Sequence, residues 1–384
     1  MKFIAKTLYG LEKVLAAELE SLGAANMMIA NRAVVFTGDM ELLYRANICS
    51  RTALSFLTVI SEFRIRSRDD LYNNSMKIRW DMYLDNSMTF SVVPVISSPV
   101  FIHSGYAGLV LKDSVADWFR NKTGKRPSVD PKNPDIVINL HISNDMVTLS
   151  LDSSVIPLYR RGYRKEQGAA PINEVLAAGI ILMSGWTPDL PLYDPMCGSG
   201  TIPVEAALIA TGTPAGKFRD FFGFQRWKDY DEQLYHKVKV EAEGHIQNTA
   251  VSIFASDISE EAVNYSALNA ASAGVADLIS LQQLDLRELK PSADQGYLIM
   301  NPPYGQRLKP DDITDLYEMI GTSLKHNFPG FTALLITADK DSLKHVGLKY
   351  SAKTTLYNGS LECLLVRYEL YRGSRKGIRQ EESL

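Results

Sequence analysis

The chain has 384 residues, 46% of them apolar and 22% charged, with a net charge of −3, which is enough to bury the cores of two or three domains. Three scattered cysteines, Cys49, Cys197 and Cys363, form neither a disulfide framework nor a zinc pattern; this excludes a stapled secreted scaffold and fits a reducing compartment. No run approaches the roughly 18 uninterrupted apolar residues of a membrane span, and the N-terminus lacks a signal-peptide layout, so a cytoplasmic protein without membrane or metal is expected.

In chain order, residues 3–5 alternate weakly as a strand, and residues 11–22 form an amphipathic helix that ends at Gly23, a C-cap. Residues 34–37 make a strand closed by Gly38-Asp39, and residues 40–46 begin the next helix. A second α+β unit follows, with a strand over 89–95, a helix over 109–120, and strands over 136–142 and 146–151 separated by the turn Ser143-Asn144-Asp145. Residues 155–167 form a polar, basic linker.

The charge is unevenly distributed: residues 1–165 carry a net +5 and residues 166–384 a net −8. The front cations cluster as Arg64, Arg66, Arg68, then Lys122, Lys125, Arg126, then Arg160, Arg161, Arg164, Lys165. One such cluster is ordinarily a solvated face. Three in one region point to a surface that holds a polyanion.

Pro171 precedes a helix over 172–183, with Asn173 and Glu174 in its first turn, where the helix dipole favours a carboxylate. Leu192-Tyr193 then leads into Asp194-Pro195-Met196-Cys197-Gly198-Ser199-Gly200-Thr201 and an apolar-periodic segment over 202–210. This is strand, tight turn, helix. Gly198 and Gly200 let backbone approach a ligand, and Thr201 is the expected N-cap. The spacing is neither the dinucleotide fingerprint nor a Walker loop, which would need a lysine. Cys197 is expected to pack rather than react.

Residues 211–227 mix Lys217, Phe218, Arg219, Phe221, Phe222, Phe224, Arg226 and Trp227, and residues 229–250 suggest a further helix. Aromatics alternating with cations can stack bases, but buried aromatics mostly fill cores, and packing is the favoured role. Residues 251–256 form a strand ending at Asp257, residues 278–284 one ending at Asp285, and residues 297–300 one ending at Asn301. With Asp194, these acceptors line one crevice along the carboxyl edge of a parallel sheet.

Asn301-Pro302-Pro303-Tyr304 carries what methylation of an exocyclic base amine requires. The lone pair of such an amine is delocalised into the ring. An enzyme must accept its N–H groups while the nitrogen moves toward sp³ geometry. Asn301 can accept one, the Pro302 carbonyl the other, the Pro302-Pro303 step holds the backbone stiff, and Tyr304 offers a ring for a flipped base. The chain closes with strands over 332–337, 353–357 and 362–370, the last two joined by the hairpin signal Asn358-Gly359, and a charged tail expected to be disordered.

The ordered series D-P-M-C-G-S-G-T, Asp257, Asp285 and N-P-P-Y resembles the class I S-adenosylmethionine-dependent methyltransferases that modify exocyclic amines, over roughly residues 164–370. The front half resembles the THUMP-containing bacterial methyltransferases of the RlmL type. The segments that carry this are Leu8-Tyr9-Gly10-Leu11-Glu12 to Leu22-Gly23, His103-Ser104-Gly105-Tyr106 to Lys112-Asp113, the stretch Gly124-Lys125-Arg126-Pro127-Ser128-Val129-Asp130, and Arg161-Gly162-Tyr163-Arg164. The resemblance implies an α/β fold: a Rossmann-like class I domain with a seven-stranded sheet, preceded by an α+β RNA-binding THUMP region. It implies a ferredoxin-like subdomain over 1–60, a THUMP domain over 61–155, the methyltransferase domain over 156–372 and a tail over 373–384. The enterobacterial form carries a second methyltransferase module after the first, so one modification and not two is expected of this chain.

The activity so implied is transfer of a methyl group from S-adenosylmethionine to guanine N2 of 23S ribosomal RNA, with S-adenosylhomocysteine as product. Asp194, Met196, Cys197, Gly198, Ser199, Gly200 and Thr201 would border the methionine end of the cofactor. Asp257 and Ile258 would meet its ribose, and Asp285 and Leu286 its adenine, with Asn301, Gln167 and Ala170 along the wall. Lys112, Lys125, Arg126, Arg160, Arg161 and Arg164 would contact RNA. Two rival readings stand beside it: an adenine-N6 methylase of DNA or RNA, because N-P-P-Y alone does not separate adenine from guanine, and a non-catalytic RNA-binding or assembly protein with a vestigial cofactor site.

Overall fold

The computed structural model describes residues 1–168, 171–303 and 310–371. The front elements are β1 (Lys2–Thr7), α1 (Glu12–Ser21), β2 (Ala25–Ala30), β3 (Ala33–Thr37), α2 (Met40–Cys49), β4 (Ala53–Arg64), α3 (Arg68–Ser75), β5 (Thr89–Ser97), α4 (Ser104–Thr123), β6 (Ser128–Val129), β7 (Ile136–Ser143) and β8 (Met146–Asp152). Then come α5 (Glu174–Ser184), β9 (Leu192–Asp194), α6 (Thr201–Ala210), α7 (Glu232–Gly244), β10 (Ile253–Asp257), α8 (Glu260–Ser272), β11 (Ile279–Gln283), β12 (Tyr297–Met300), α9 (Pro310–Asn327), β13 (Thr332–Thr337), β14 (Ala352–Asn358) and β15 (Leu361–Glu369).

These elements divide into two compact units, neither continuous in sequence. One comprises Met1–Thr7, Ala16–Leu158 and Arg219–Glu241; the other comprises Leu8–Leu15, Tyr159–Phe218 and Ala242–Leu384.

The first unit is built on an eight-stranded sheet of order β2-β3-β1-β4-β8-β7-β5-β6. Its organiser is β4, which pairs β1 on one side and β8 on the other. The sequence did not suggest this strand. Residues Ser55–Thr58 of β4 are mostly buried on both faces, so the alternation that betrays a half-buried strand is missing. The division expected after residue 60 falls inside β4, and one sheet runs through both α+β parts.

The aromatic segment 219–227 belongs to this unit. Phe222 and Phe224 are buried and stacked at 5.4 Å, and Tyr44 packs on Phe224 at 4.5 Å. Gly223 sits so close to the chain that a Cβ would meet Asp152 O at 2.9 Å. Arg219 donates to Ile156 O at 2.7 Å, and Arg226 lies over the Phe221 ring at 4.6 Å. The segment therefore fills a core, worth about 1.5–3 kcal/mol per buried large side chain. The expected helix over 229–250 is the shorter α7.

The second unit holds a seven-stranded sheet of order β11-β10-β9-β12-β13-β15-β14. Strands β9 to β13 are mutually parallel, and β15 runs antiparallel to β13 and β14. Helix α5 is apolar almost all round and buried accordingly, started by Asn173, whose side chain accepts from Val175 N at 2.9 Å, and ended by left-handed Gly185. Under the sheet, Tyr193 stacks on Phe254 at 4.6 Å, and Tyr317 bonds Thr337 at 2.6 Å in the core that carries α9. Strand order reverses between β9 and β12, and such a reversal opens a crevice at the carboxyl ends of the strands. Among the described residues, no helix is long and apolar enough to cross a membrane.

Candidate active site

A cleft of about 340 Å³ occupies that crevice. Asp194 ends β9, Asp257 ends β10, Asp285 follows β11 and Asn301 follows β12, and all four line the cleft. Parallel strands deliver these acceptors to one edge because each helix returns the chain to the opposite edge before the next strand begins.

Asp194 is 1% exposed. Its Oδ1 accepts from Met196 N at 3.3 Å, whereas Oδ2 is buried without a hydrogen-bond partner. Burial, and secondarily the charge of Asp257, hold its carboxyl well above the usual carboxylate range. An unsatisfied buried acceptor costs roughly 1–3 kcal/mol. A cationic donor in the cleft would relieve it.

The turn after Asp194 is fixed from several sides. Cys197 N donates to Ser256 O at 3.0 Å, and Gly198 N donates to Asp257 Oδ2 at 3.0 Å. Gly198 has φ +54, and a Cβ there would meet nothing within 4 Å, so the backbone borders open cleft. Gly200 has another reason. At φ +78 a Cβ would meet Ser266 Oγ of α8 at 2.5 Å, so Gly200 packs the turn on a helix and does not line the cleft. Gly200, not Thr201, is the N-cap of α6; the Thr201 hydroxyl instead accepts from Arg164 at 2.9 Å. Burial pushes the Cys197 thiol far up, which makes it inert.

Asp257 Oδ1 accepts from Ser259 N at 3.0 Å. Asp285 accepts from Arg287 N at 2.8 Å and is gripped by the Arg287 guanidinium at 3.0 and 2.6 Å, which lowers its pKa. Met196, Ser199, Thr201, Ile258, Leu286 and Pro303 complete much of the wall. Pro302 is buried beside them. Tyr304 and Ala170 lie outside the described residues.

Gln167 is exposed and lines a neighbouring cavity instead, while Gly168, Pro171 and Ile172 border the cleft. Sequence reasoning also missed Leu316 and Met319 of α9, which close the cleft. The 3.6-residue period of α9 was the available signal.

Residues 161–367 match the methyltransferase domain described as RMKL-like, residues 2–54 the RlmL ferredoxin-like domain, and residues 66–152 the THUMP domain. The chain belongs to this family. It is an S-adenosylmethionine-dependent RNA methyltransferase of the RlmL type. A Synechocystis sp. protein named as an RNA methyltransferase is 38% identical over 371 residues, 96% of this chain and 97% of that one. Ribosomal RNA large subunit methyltransferase K/L of Syntrophotalea carbinolica is 36% identical over 384 residues, 96% of this chain and 54% of that one. The solved structure of SMU.472, described as a methyltransferase complexed with S-adenosylhomocysteine, superposes with TM-score 0.87 at 30% identity, covering 97% of this chain and 99% of that one. A Listeria monocytogenes structure, described as a predicted N6-adenine-specific DNA methylase, gives 0.86 at 29% identity, covering 97% and 96%.

The residues present fit the donor that this family uses. The unpartnered Asp194 Oδ2, the open backbone at Gly198 and the carboxylates at two adjacent strand ends suit an ammonium, a ribose and an aminopurine.

The structure corrects the reading of two of the RNA-contact cations, Arg161 and Arg164. Arg161 is 1% exposed and paired with Glu205, which also accepts from Tyr163 at 3.0 Å, so Arg161 is an internal strut. Arg164 spends its guanidinium on Glu174, Ser199, Thr201 and Ile172 O. Lys112 pairs with Asp113 and Arg126 with Asp117, and Lys125, Arg126 and Arg160 are exposed.

Proposed function

We propose that this enzyme methylates the exocyclic N2 amine of a guanine in 23S ribosomal RNA. The observation that carries the reading is the position of Asn301. It follows β12 on the wall of the same cleft as Asp194, Asp257 and Asp285, and it opens the sequence N-P-P-Y.

Asp194 would accept from the cofactor's amino group, Asp257 from its ribose hydroxyls, and Asp285 with the backbone of Leu286 would meet its adenine. Bound S-adenosylmethionine supplies a methyl group on a sulfonium, and the carbon–sulfur bond pair returns to sulfur as the base nitrogen bonds carbon. The work left to the protein is orientation and hydrogen bonding. Asn301 Oδ1 and the Pro302 carbonyl accept the amine N–H groups, which favours the pyramidal nitrogen of the transition state over the flat amine of the substrate. The proton shed by the nitrogen leaves to water, and no strong base is required. Arg160 and Lys125 would hold phosphates.

Transfer of label from tritiated S-adenosylmethionine to 23S ribosomal RNA tests the reading. Asn301→Ala should lower single-turnover rates by about 10² with RNA affinity little changed. A second reading, adenine N6, is favoured by the Listeria neighbour's description. The RlmL-type and THUMP matches in the front half favour RNA and guanine. Labelled DNA in place of RNA would overturn the proposal.

A further inference from the structure

Within the second unit, one buried amide of helix α8 holds the main chain of two segments that border the cofactor cleft. Asn269 is 1% exposed. Its Oδ1 accepts from Lys165 N at 2.7 Å and Glu166 N at 3.2 Å, and its Nδ2 donates to Glu166 O at 2.8 Å and Ser199 O at 2.9 Å. These four bonds use the full capacity of the amide, and two N–H groups at one end with two carbonyls at the other fix which atom is the oxygen.

The two segments are distant in sequence, and both reach the cleft. Ser199 lines it from the turn after β9, and Gly168, two residues beyond Glu166, lines it from the stretch that leads to α5. One turn earlier on α8, Ser266 Oγ donates to Gly198 O at 3.1 Å. Two successive carbonyls of the cofactor turn, Gly198 O and Ser199 O, are therefore held by α8. A trans peptide points its N–H opposite to its C=O, so the Ser199 N–H faces away from the helix. Asn269 itself does not line the cleft, so its action on a bound molecule is indirect.

We infer that Asn269 is a positioning residue for S-adenosylmethionine: it sets the separation of the turn at Ser199 from the segment at Gly168, and so the shape of the cleft where the amino-acid end of the cofactor sits. The inference rests on the proposed seating of the cofactor along Asp194, Asp257 and Asp285. Without the amide, Ser199 O loses a donor, and Lys165 N and Glu166 N lose their acceptor. The two walls are then no longer tied through α8, and binding must supply the order that the free protein lacks. Arg164 reaches the same turn through the hydroxyls of Ser199 and Thr201, whereas Asn269 holds its main chain.

The test uses the full chain and the variants Asn269→Ala and Asn269→Asp. The second keeps the side-chain volume and the acceptor for Lys165 N and Glu166 N, but lacks the N–H that Ser199 O and Glu166 O require. Asn47→Ala is the control, because Asn47 is also 1% exposed and its amide donates to Leu43 O and Ser153 Oγ in the first unit. Affinity for S-adenosylhomocysteine is measured by calorimetry at a temperature below the thermal unfolding of each protein. Both Asn269 variants should bind about tenfold more weakly. The KM for S-adenosylmethionine should rise to match, with kcat at saturating cofactor within about twofold of wild type and the KM for a 23S ribosomal RNA transcript unchanged. Asn47→Ala should lose stability and keep wild-type affinity. Wild-type affinity in either Asn269 variant overturns the inference, and so does an equal loss in Asn47→Ala, since affinity would then follow stability alone. Asp257→Ala separates this inference from the seating it rests on. If Asp257→Ala weakens binding and the Asn269 variants do not, only the role of Asn269 falls; if none of the three weakens it, the seating falls too.

Discussion

Arg164 donates to Glu174 at 2.7 Å, and the same guanidinium reaches the hydroxyls of Ser199 at 3.1 Å and Thr201 at 2.9 Å. One side chain therefore ties the start of α5 to the turn that borders the cofactor cleft. Both partners of the ion pair are mostly buried, at 15% and 7% side-chain exposure. Arg164→Ala should destabilise the fold by roughly 3 kcal/mol, because Glu174 is left without its counter-ion. Cofactor affinity should fall as well, although Arg164 does not line the cleft. Arg164→Lys should restore little, since an ammonium cannot span the four acceptors. Urea denaturation and calorimetry on the two variants check this, and wild-type cofactor affinity in Arg164→Ala would show that the turn holds its shape unaided.

Asp257 joins the cofactor turn to the next strand through its bond from Gly198 N. Asp257→Ala should weaken S-adenosylhomocysteine binding by about 1–3 kcal/mol, leaving ribose hydroxyls unpaired. Asp257→Asn should fall between, because one acceptor persists. Equal affinity across the three proteins in calorimetry would remove Asp257 from the ribose site.

Asp194 gives a pH dependence of defined sign. Its folded-state pKa is raised by burial above the ordinary value near 3.8. Its contribution to stability is therefore fully present below about 3.8 and is lost as pH climbs toward the folded-state value, because above the ordinary value the unfolded chain ionises first. Urea denaturation of the free protein should show Asp194→Asn gaining on wild type as pH rises. Binding an ammonium beside Asp194 favours the carboxylate, so cofactor binding should release a proton in the pH range where the free group is still protonated. Calorimetry in buffers of different ionisation enthalpy measures that release.

The pair Arg161–Glu205 is buried on both sides, at 1% and 0% side-chain exposure. Removing one partner strands the other charge, so Arg161→Ala should cost about 3–5 kcal/mol of stability. A variant as stable as wild type in urea but weaker on RNA would restore the surface role that the structure denies it.

The catalytic half was legible because four of the seven strands of its sheet end at or just before a distinctive residue: Asp194, Asp257, Asp285, Asn301. The hairpin at Asn358-Gly359 was equally plain and closes β14 on β15. Burial within a basic run was not legible. Arg160, Arg161 and Arg164 look alike in sequence, yet the partners that bury the latter two, Glu205 and Glu174, stand 44 and 10 residues away. Strand β4 was hidden because burial on both faces erases the alternating pattern. The role of Gly200 was misread for a related reason: its neighbour is Ser266 on α8, a contact that only the tertiary fold supplies.

Nucleoside analysis of 23S ribosomal RNA after reaction with labelled S-adenosylmethionine tests the central claim most directly. The transcript is methylated, digested to nucleosides and resolved by mass spectrometry, with Asn301→Ala run in parallel. The result expected is N2-methylguanosine at a single site, formed about 10²-fold more slowly by the variant. N6-methyladenosine as the product, or equal rates for the two proteins, would contradict the assignment of guanine N2 as acceptor and of Asn301 as a group that accepts a hydrogen bond from its N–H.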